Sequence, residues 1–241
     1  MKLKGCYVLL IILVLYLLLA LFGITLFSNS TIGILLLLTH ILSALTIGII
    51  LGIISRFKKF TKNKKEKIYI FEKNKKSINL SHSKNTVNFK NLGVILSEAI
   101  LESSKTIIMI GGFVILFSII ISILNTSKIL EIFSYTIYPI LNFLKINTFF
   151  ASPVISGMFE LTNGISIIAG IYNKSISINI ILCAFLLGFG GISVLLQVLS
   201  IISKSDISIK KYVLGKFMQG IIAASYTYIL INTIPIFNFN L

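Results

Sequence analysis

Long runs of Leu, Ile, Val and Phe alternate with short polar segments along this chain, and the length of each run is the first guide to what it forms. The hydrocarbon core of a bilayer is about 30 Å thick, so a crossing helix needs about 20 apolar residues. Cys6–Phe27, Ile32–Ile54, Thr106–Leu124, Ser177–Ile202 and Tyr212–Thr233 meet or approach that length. Thr148–Tyr172 is long enough as well, but its middle is polar. Lys128–Lys145 is short for a span and contains Pro139, expected to bend it; it is either a tilted span or an amphipathic helix at the interface. The pattern predicts an all-α, polytopic helical membrane protein of five to seven spans, including two glycine-interrupted helices that are broken or re-entrant. Seven spans follow if Lys128–Lys145 and Thr148–Tyr172 both cross, and five if they form an interfacial helix and a re-entrant hairpin.

Composition supports the membrane reading. Of the 241 residues 56% are hydrophobic and only 12% charged, where soluble domains average about 25% charged. The formal net charge of +15 comes from segments between apolar runs, as in cytoplasmic loops rather than in a nucleic-acid-binding surface. Residues 56–90 carry twelve Lys and Arg against two Glu. Three divisions follow: two N-terminal transmembrane helices over 1–54, a basic cytoplasmic loop over 55–90, and a membrane domain over 91–235. The last opens on Asn91–Lys105, whose apolar residues recur at helical spacing and predict an interfacial amphipathic helix. Lys2 and Lys4 before the first run place the N-terminus in the cytoplasm, and the run is longer than a cleavable signal core, which makes it an uncleaved first span. The expected location is a cell membrane, crossed several times, with the lipid bilayer as the first partner.

Few side chains inside these runs carry chemistry. Cys6 and Cys183 lie far apart, without metal-ligand or disulfide spacing, and read as small core residues. His40 is the one histidine in a span and reads first as a hydrogen-bonded packing residue. Gly48 and Gly52 form a G-x-x-x-G pair that predicts close helix packing. Lys216, in the first turns of the last span, can snorkel to the interface. No zinc-protease, serine-hydrolase or phosphate-loop motif is present, so the reading is of a protein that is not an enzyme and uses no cofactor or metal.

Glu160-Leu161-Thr162-Asn163-Gly164 holds the only carboxylate well inside a long apolar segment. Such a group is a functional candidate by default, because its charge costs several kcal/mol in hydrocarbon. Gly157 and Gly164 bracket it, and two half-helices meeting at a polar turn are a common way to build a transporter site near the midplane. The competing reading is a tightly packed helix whose Glu160 pairs with a neighbouring hydroxyl or amide. A second break, Gly188-Phe189-Gly190-Gly191, precedes Ser193 and Gln197, which share one helix face and could reach Glu160 or a bound solute, or serve only interhelical hydrogen bonding. One pair of broken elements, where repeat-built transporters use two halves, predicts a homo-oligomer or a partner membrane subunit.

Phe159–Gly164 (F-E-L-T-N-G), Gly188–Ser200 (G-F-G-G-I-S-V-L-L-Q-V-L-S) and Ile110–Ser118 (I-G-G-F-V-I-L-F-S) resemble the sporulation integral membrane proteins of the YlbJ type. These belong to the nucleoside-recognition, or Gate, domain family of endospore-forming bacteria. The resemblance runs from roughly Ile32 to Thr233, and departs at Leu195, Lys216 and Gln219, where His, Arg and His are the family's residues. It implies a bacterial membrane protein required for spore formation, acting as a transporter or channel component for a nucleoside-like or other small polar solute. Glu160, Thr162, Asn163 and Gly164 would then form the first tip of the binding site, and Ser193 and Gln197 the second. The alternative is a non-transporting scaffold for spore-envelope assembly.

Overall fold

The computed structural model describes residues 23–66, 92–171, 176–202 and 208–237. Among them the regular structure is helical: α1 (Ser30–Glu66), α2 (Leu92–Thr126), α3 (Ile129–Tyr135), α4 (Tyr138–Phe143), α5 (Ala151–Phe159), α6 (Leu161–Gly170), α7 (Ile176–Phe189), α8 (Gly191–Ile202) and α9 (Ile209–Thr233). Four stretches are long and apolar enough to cross a membrane, namely Ser30–Ile54, Leu96–Thr126, Ile176–Leu199 and Ile209–Thr233. Most of the expected first span, and residues 67–90 of the expected basic loop, lie outside the described residues.

The α7–α8 stretch is the centre of the bundle. Of its most apolar 18 residues 72% are buried, against 11% for α2, which therefore lies at the edge. Helices α1 and α9 flank α7, and Ile32, Leu35, Leu36, Ile180, Cys183, Leu186 and Ile231 fill the space among them. Gly188 and Gly220 bring α7 and α9 into backbone contact: a Cβ on Gly188 would lie 2.7 Å from the Gly220 Cα. Phe185, Phe189 and Phe217 close this seam with edge-to-face rings 6.1 Å apart across the two helices. A Thr46 Oγ1 to Tyr226 hydroxyl contact of 2.9 Å ties α1 to α9. The expected packing through Gly48 and Gly52 finds no partner among the described residues. No atom of the described residues lies within 4 Å of where a Cβ would stand on either, and the close approaches among those residues belong to other glycines.

The expected amphipathic lead-in and the span after it form one helix. The 35 residues of α2 extend ~52 Å at the α-helical rise, well beyond the ~30 Å hydrocarbon layer. An exposed Lys105–Glu102 pair at 3.0 Å marks where it leaves the apolar region.

Lys128–Lys145 does not cross. It divides into the seven residues of α3 and the six of α4, with Lys128 (φ 58) and Lys145 (φ 56) in the left-handed region at its two ends. Pro139 lies in the first turn of α4, where its missing N–H costs nothing, so it starts a helix instead of bending one. Thr148–Tyr172 does not cross either. A Cβ on Gly164 would lie 2.1 Å from the Gly157 Cα and 2.9 Å from the Pro153 carbonyl oxygen, whereas residues seven apart on a straight helix are ~10 Å apart. Helices α5 and α6 are thus the arms of a hairpin that turns at Glu160. At nine and ten residues each arm is ~15 Å long, half a bilayer core. The described residues fit the five-span arrangement.

Candidate functional site

Glu160 turns the chain. Its backbone is extended (φ −138°, ψ 118°) between the end of α5 and the start of α6, and its side chain caps α6. Oε1 accepts from the Thr162 N–H at 3.1 Å, and Oε2 accepts from the Asn163 N–H at 2.8 Å and the Thr162 hydroxyl at 2.6 Å. The residue is 1% exposed. A buried carboxylate is tolerable only when its lone pairs are satisfied, and a helix N-terminus supplies free N–H donors and a favourable dipole. The acid therefore makes the break possible: it satisfies the amides that the turn exposes, and they satisfy it.

The second break lies against the first. Gly190 (φ +89) and Gly191 (φ +74) separate α7 from α8. The Gly190 N–H still donates to the Leu186 carbonyl at 2.7 Å, so the chain bends here without folding back. A Cβ on Gly191 would stand 3.1 Å from the Gly157 oxygen and 3.3 Å from the Leu161 nitrogen, the residues just before and after the hairpin turn. The glycine-rich run thus divides its work: Gly188 admits α9, while Gly190 and Gly191 adopt positive φ where the hairpin tip docks.

Of the residues singled out from sequence, Glu160, Thr162 and Asn163 form one hydrogen-bonded tip. Gly164 supports it from within, its Cα packed on Gly157. Ser193 and Gln197 are buried on one face of α8 while Leu196 points outward. The Ser193 Oγ has no hydrogen-bond partner among the described residues. The Lys216 Nζ donates to the Gln219 Oε1 at 3.0 Å, with its chain beside Gly190. His40 is buried on α1 next to Thr39 and Ser43.

Two features were not anticipated. Asn179 on α7 is buried, and its Nδ2 donates to the carbonyls of Ile168 at 2.7 Å and Ile171 at 2.8 Å, which holds the end of the returning arm. A cavity of about 400 Å³ also lies between α2 and the hairpin. Ser118, Ser122 and Asn125 of α2, Ser152 and Ser156 of α5, and Asn163 of α6 line it, with Ile121, Leu130, Pro153 and Ile167. The signal for the first three was present in the sequence as an i, i+4, i+7 polar stripe on an otherwise apolar run. No group of three or more possible metal ligands occurs among the described residues.

Residues 107–205 match the Gate family, described as nucleoside recognition. That span runs from α2 through the hairpin to the end of α8 and so contains both breaks and the cavity. The chain is 31% identical over 204 residues, 85% of its own length, to the sporulation integral membrane protein YlbJ of Bacillus subtilis, of which it spans 50%. No solved structure matches it. The helix breaks thus fall within the stretch that matches the Gate, nucleoside-recognition, family, in a chain that resembles the YlbJ-type sporulation integral membrane proteins over most of its own length.

Proposed function

We propose that this protein takes part in spore formation as a multi-pass component of the cell membrane, where the hairpin and the broken helix bind a small polar, nucleoside-like solute as part of a transporter or channel. The observation that carries the reading is the contact between the two breaks, Gly191 against Gly157 and Leu161. Two interrupted helices touching at half-bilayer depth are the arrangement in which membrane transporters hold solutes. In this reading Thr162 and Asn163 offer hydroxyl and amide groups from the first tip, and Ser193 and Gln197 from the second. Glu160 and Gly164 give the tip its shape. The chemistry is binding and passage, not catalysis.

Orientation follows from charge. With the lysine-rich segments in the cytoplasm, α2 crosses outward, the hairpin enters from the outer face, and α7–α8 crosses inward. One pair of breaks, where repeat-built transporters use two halves, supports a working unit that contains a second copy or a separate membrane subunit.

One observation favours the scaffold reading instead. All three hydrogen bonds given to the Glu160 carboxylate come from its own tip, which is also what a purely structural break requires. Complementation of a spore-former lacking the matching gene separates the two, with wild type, Glu160→Gln and Asn163→Ala compared at equal membrane abundance. Restoration of heat-resistant spores by wild type alone supports solute binding. Restoration by all three leaves the break structural.

A further inference from the structure

The hairpin has two sides. One meets the second break, and the other faces the cavity bounded by α2, where Glu160, Ser193 and Gln197 take no part. Six of the ten residues lining this cavity are Ser or Asn, and none is ionisable. At about 400 Å³ it has room for roughly a dozen waters, taking ~30 Å³ each, and lies within the ~300–1,000 Å³ range of small-ligand sites.

Its polar lining is a coherent set. Ser118, Ser122 and Asn125 occupy successive turns of one face of α2, and Ser152 and Ser156 successive turns of α5, so two helices turn hydroxyls and an amide towards one space. Asn163 completes the set from the tip. Ser156 is 1% exposed, and its Oγ has no hydrogen-bond partner among the described residues. A buried hydroxyl without a partner costs free energy that a ligand or water recovers. Core packing alone does not explain such a group, because Ala would fill the position without that cost.

We infer that this cavity between α2 and the hairpin is a binding site for an uncharged, hydroxyl-rich solute of about nucleoside size, a reading that rests on the solute-binding role proposed above. Hydroxyls and carboxamides both donate and accept, which suits sugar hydroxyls and base edges. Without a fixed counter-charge in the lining, an ionised phosphate or carboxylate would lose its hydration uncompensated. Selection against charge is therefore built into the lining. Glu160 acts here as a positioning residue: by capping α6 it fixes the turn from which Asn163 reaches the cavity.

The test is equilibrium binding to the full chain in lipid nanodiscs. The neutral probes are uridine, adenosine, ribose and myo-inositol; uridine 5′-monophosphate is the charged one. Wild type is expected to bind at least one neutral probe, and the monophosphate at least tenfold more weakly than uridine. Ser156→Ala should weaken the neutral probe about fivefold, the loss of one hydrogen bond. Ser122→Phe, on an exposed turn of α2, should abolish binding by filling the cavity while membrane abundance and thermal stability stay normal. Absence of binding to every neutral probe overturns the inference, as does a monophosphate bound as well as uridine. Binding that survives Ser122→Phe but is lost in Asn163→Ala refutes the cavity and leaves the tip as the solute site. Binding that survives both variants removes the tip reading as well.

Discussion

The contact between the two breaks makes a quantitative prediction through a pair of neighbouring glycines. Both Gly190 (φ +89) and Gly191 (φ +74) lie in the left-handed region, where an L-residue costs ~1–2 kcal/mol. They differ in what surrounds them. A Cβ on Gly190 would meet nothing closer than the Lys216 Cε at 3.5 Å, ordinary van der Waals contact with the end of a flexible chain. On Gly191 it would press on backbone atoms of the hairpin, 3.1 Å from the Gly157 oxygen and 3.3 Å from the Leu161 nitrogen. Gly190→Ala should therefore cost only the conformational term, ~1–2 kcal/mol. Gly191→Ala adds overpacking, typically ~1–3 kcal/mol, for a total of ~2–5 kcal/mol. Gly190→Asn should recover part of the loss at 190, because Asn tolerates positive φ. The assay is reversible unfolding in mixed micelles by titration with a denaturing detergent, followed by circular dichroism, with all three variants purified alongside wild type. Equal losses at 190 and 191, or a neutral Gly191→Ala, would show that the two breaks do not touch, and the argument for a joint site would go with them.

Other outcomes follow from the same geometry. Gly164→Ala forces a Cβ to 2.1 Å from the Gly157 Cα; we expect more than ~3 kcal/mol of destabilisation, or loss of the protein from the membrane, measured by unfolding and by abundance. Asn179→Leu strands the carbonyls of Ile168 and Ile171 at ~1–3 kcal/mol, and faster amide exchange over 165–171 than in wild type checks it. A membrane-impermeant thiol reagent should label Asn147→Cys and Gly170→Cys, both exposed at the two ends of the hairpin, from the same side of the membrane; labelling from opposite sides refutes the re-entrant turn. Gly48→Leu and Gly52→Leu, with no described residue within 4 Å of either Cβ position, should change stability by no more than ~0.5 kcal/mol.

Run length and charge were enough to predict a helical membrane protein, because hydrophobic thickness and the cost of bare backbone leave few alternatives. They did not decide whether Thr148–Tyr172 crossed or turned back, since a 25-residue run satisfies the length rule either way. The decision rests on Gly157 and Gly164 meeting across the turn, a tertiary contact. Glu160 was legible as an anomaly, but its engagement by the amide of Asn163 and the amide and hydroxyl of Thr162 follows from helix capping, a local rule that applies in a membrane as in water. The G-x-x-x-G pair shows the converse: spacing shows that a close approach is possible, and only a partner makes one, as Gly220 does for Gly188 among the described residues. The serine stripe of α2 was passed over because single serines are unremarkable in transmembrane helices; its meaning appeared when α5 supplied two more.

The shortness of the hairpin arms bears on how the protein is made. Arms of nine and ten residues are too short for membrane-insertion machinery to partition as spans of about 20. The Glu160 turn is also unwelcome in lipid until protein surrounds it. In the arrangement proposed above the hairpin takes its place after α7–α8 is in the bilayer, when Asn179 can hold the end of its returning arm and Gly191 can receive its tip. Biogenesis then has a late step whose receiving surface is the second break itself, so a fault at Gly191 should appear first as a failure of assembly and only afterwards as a failure of binding.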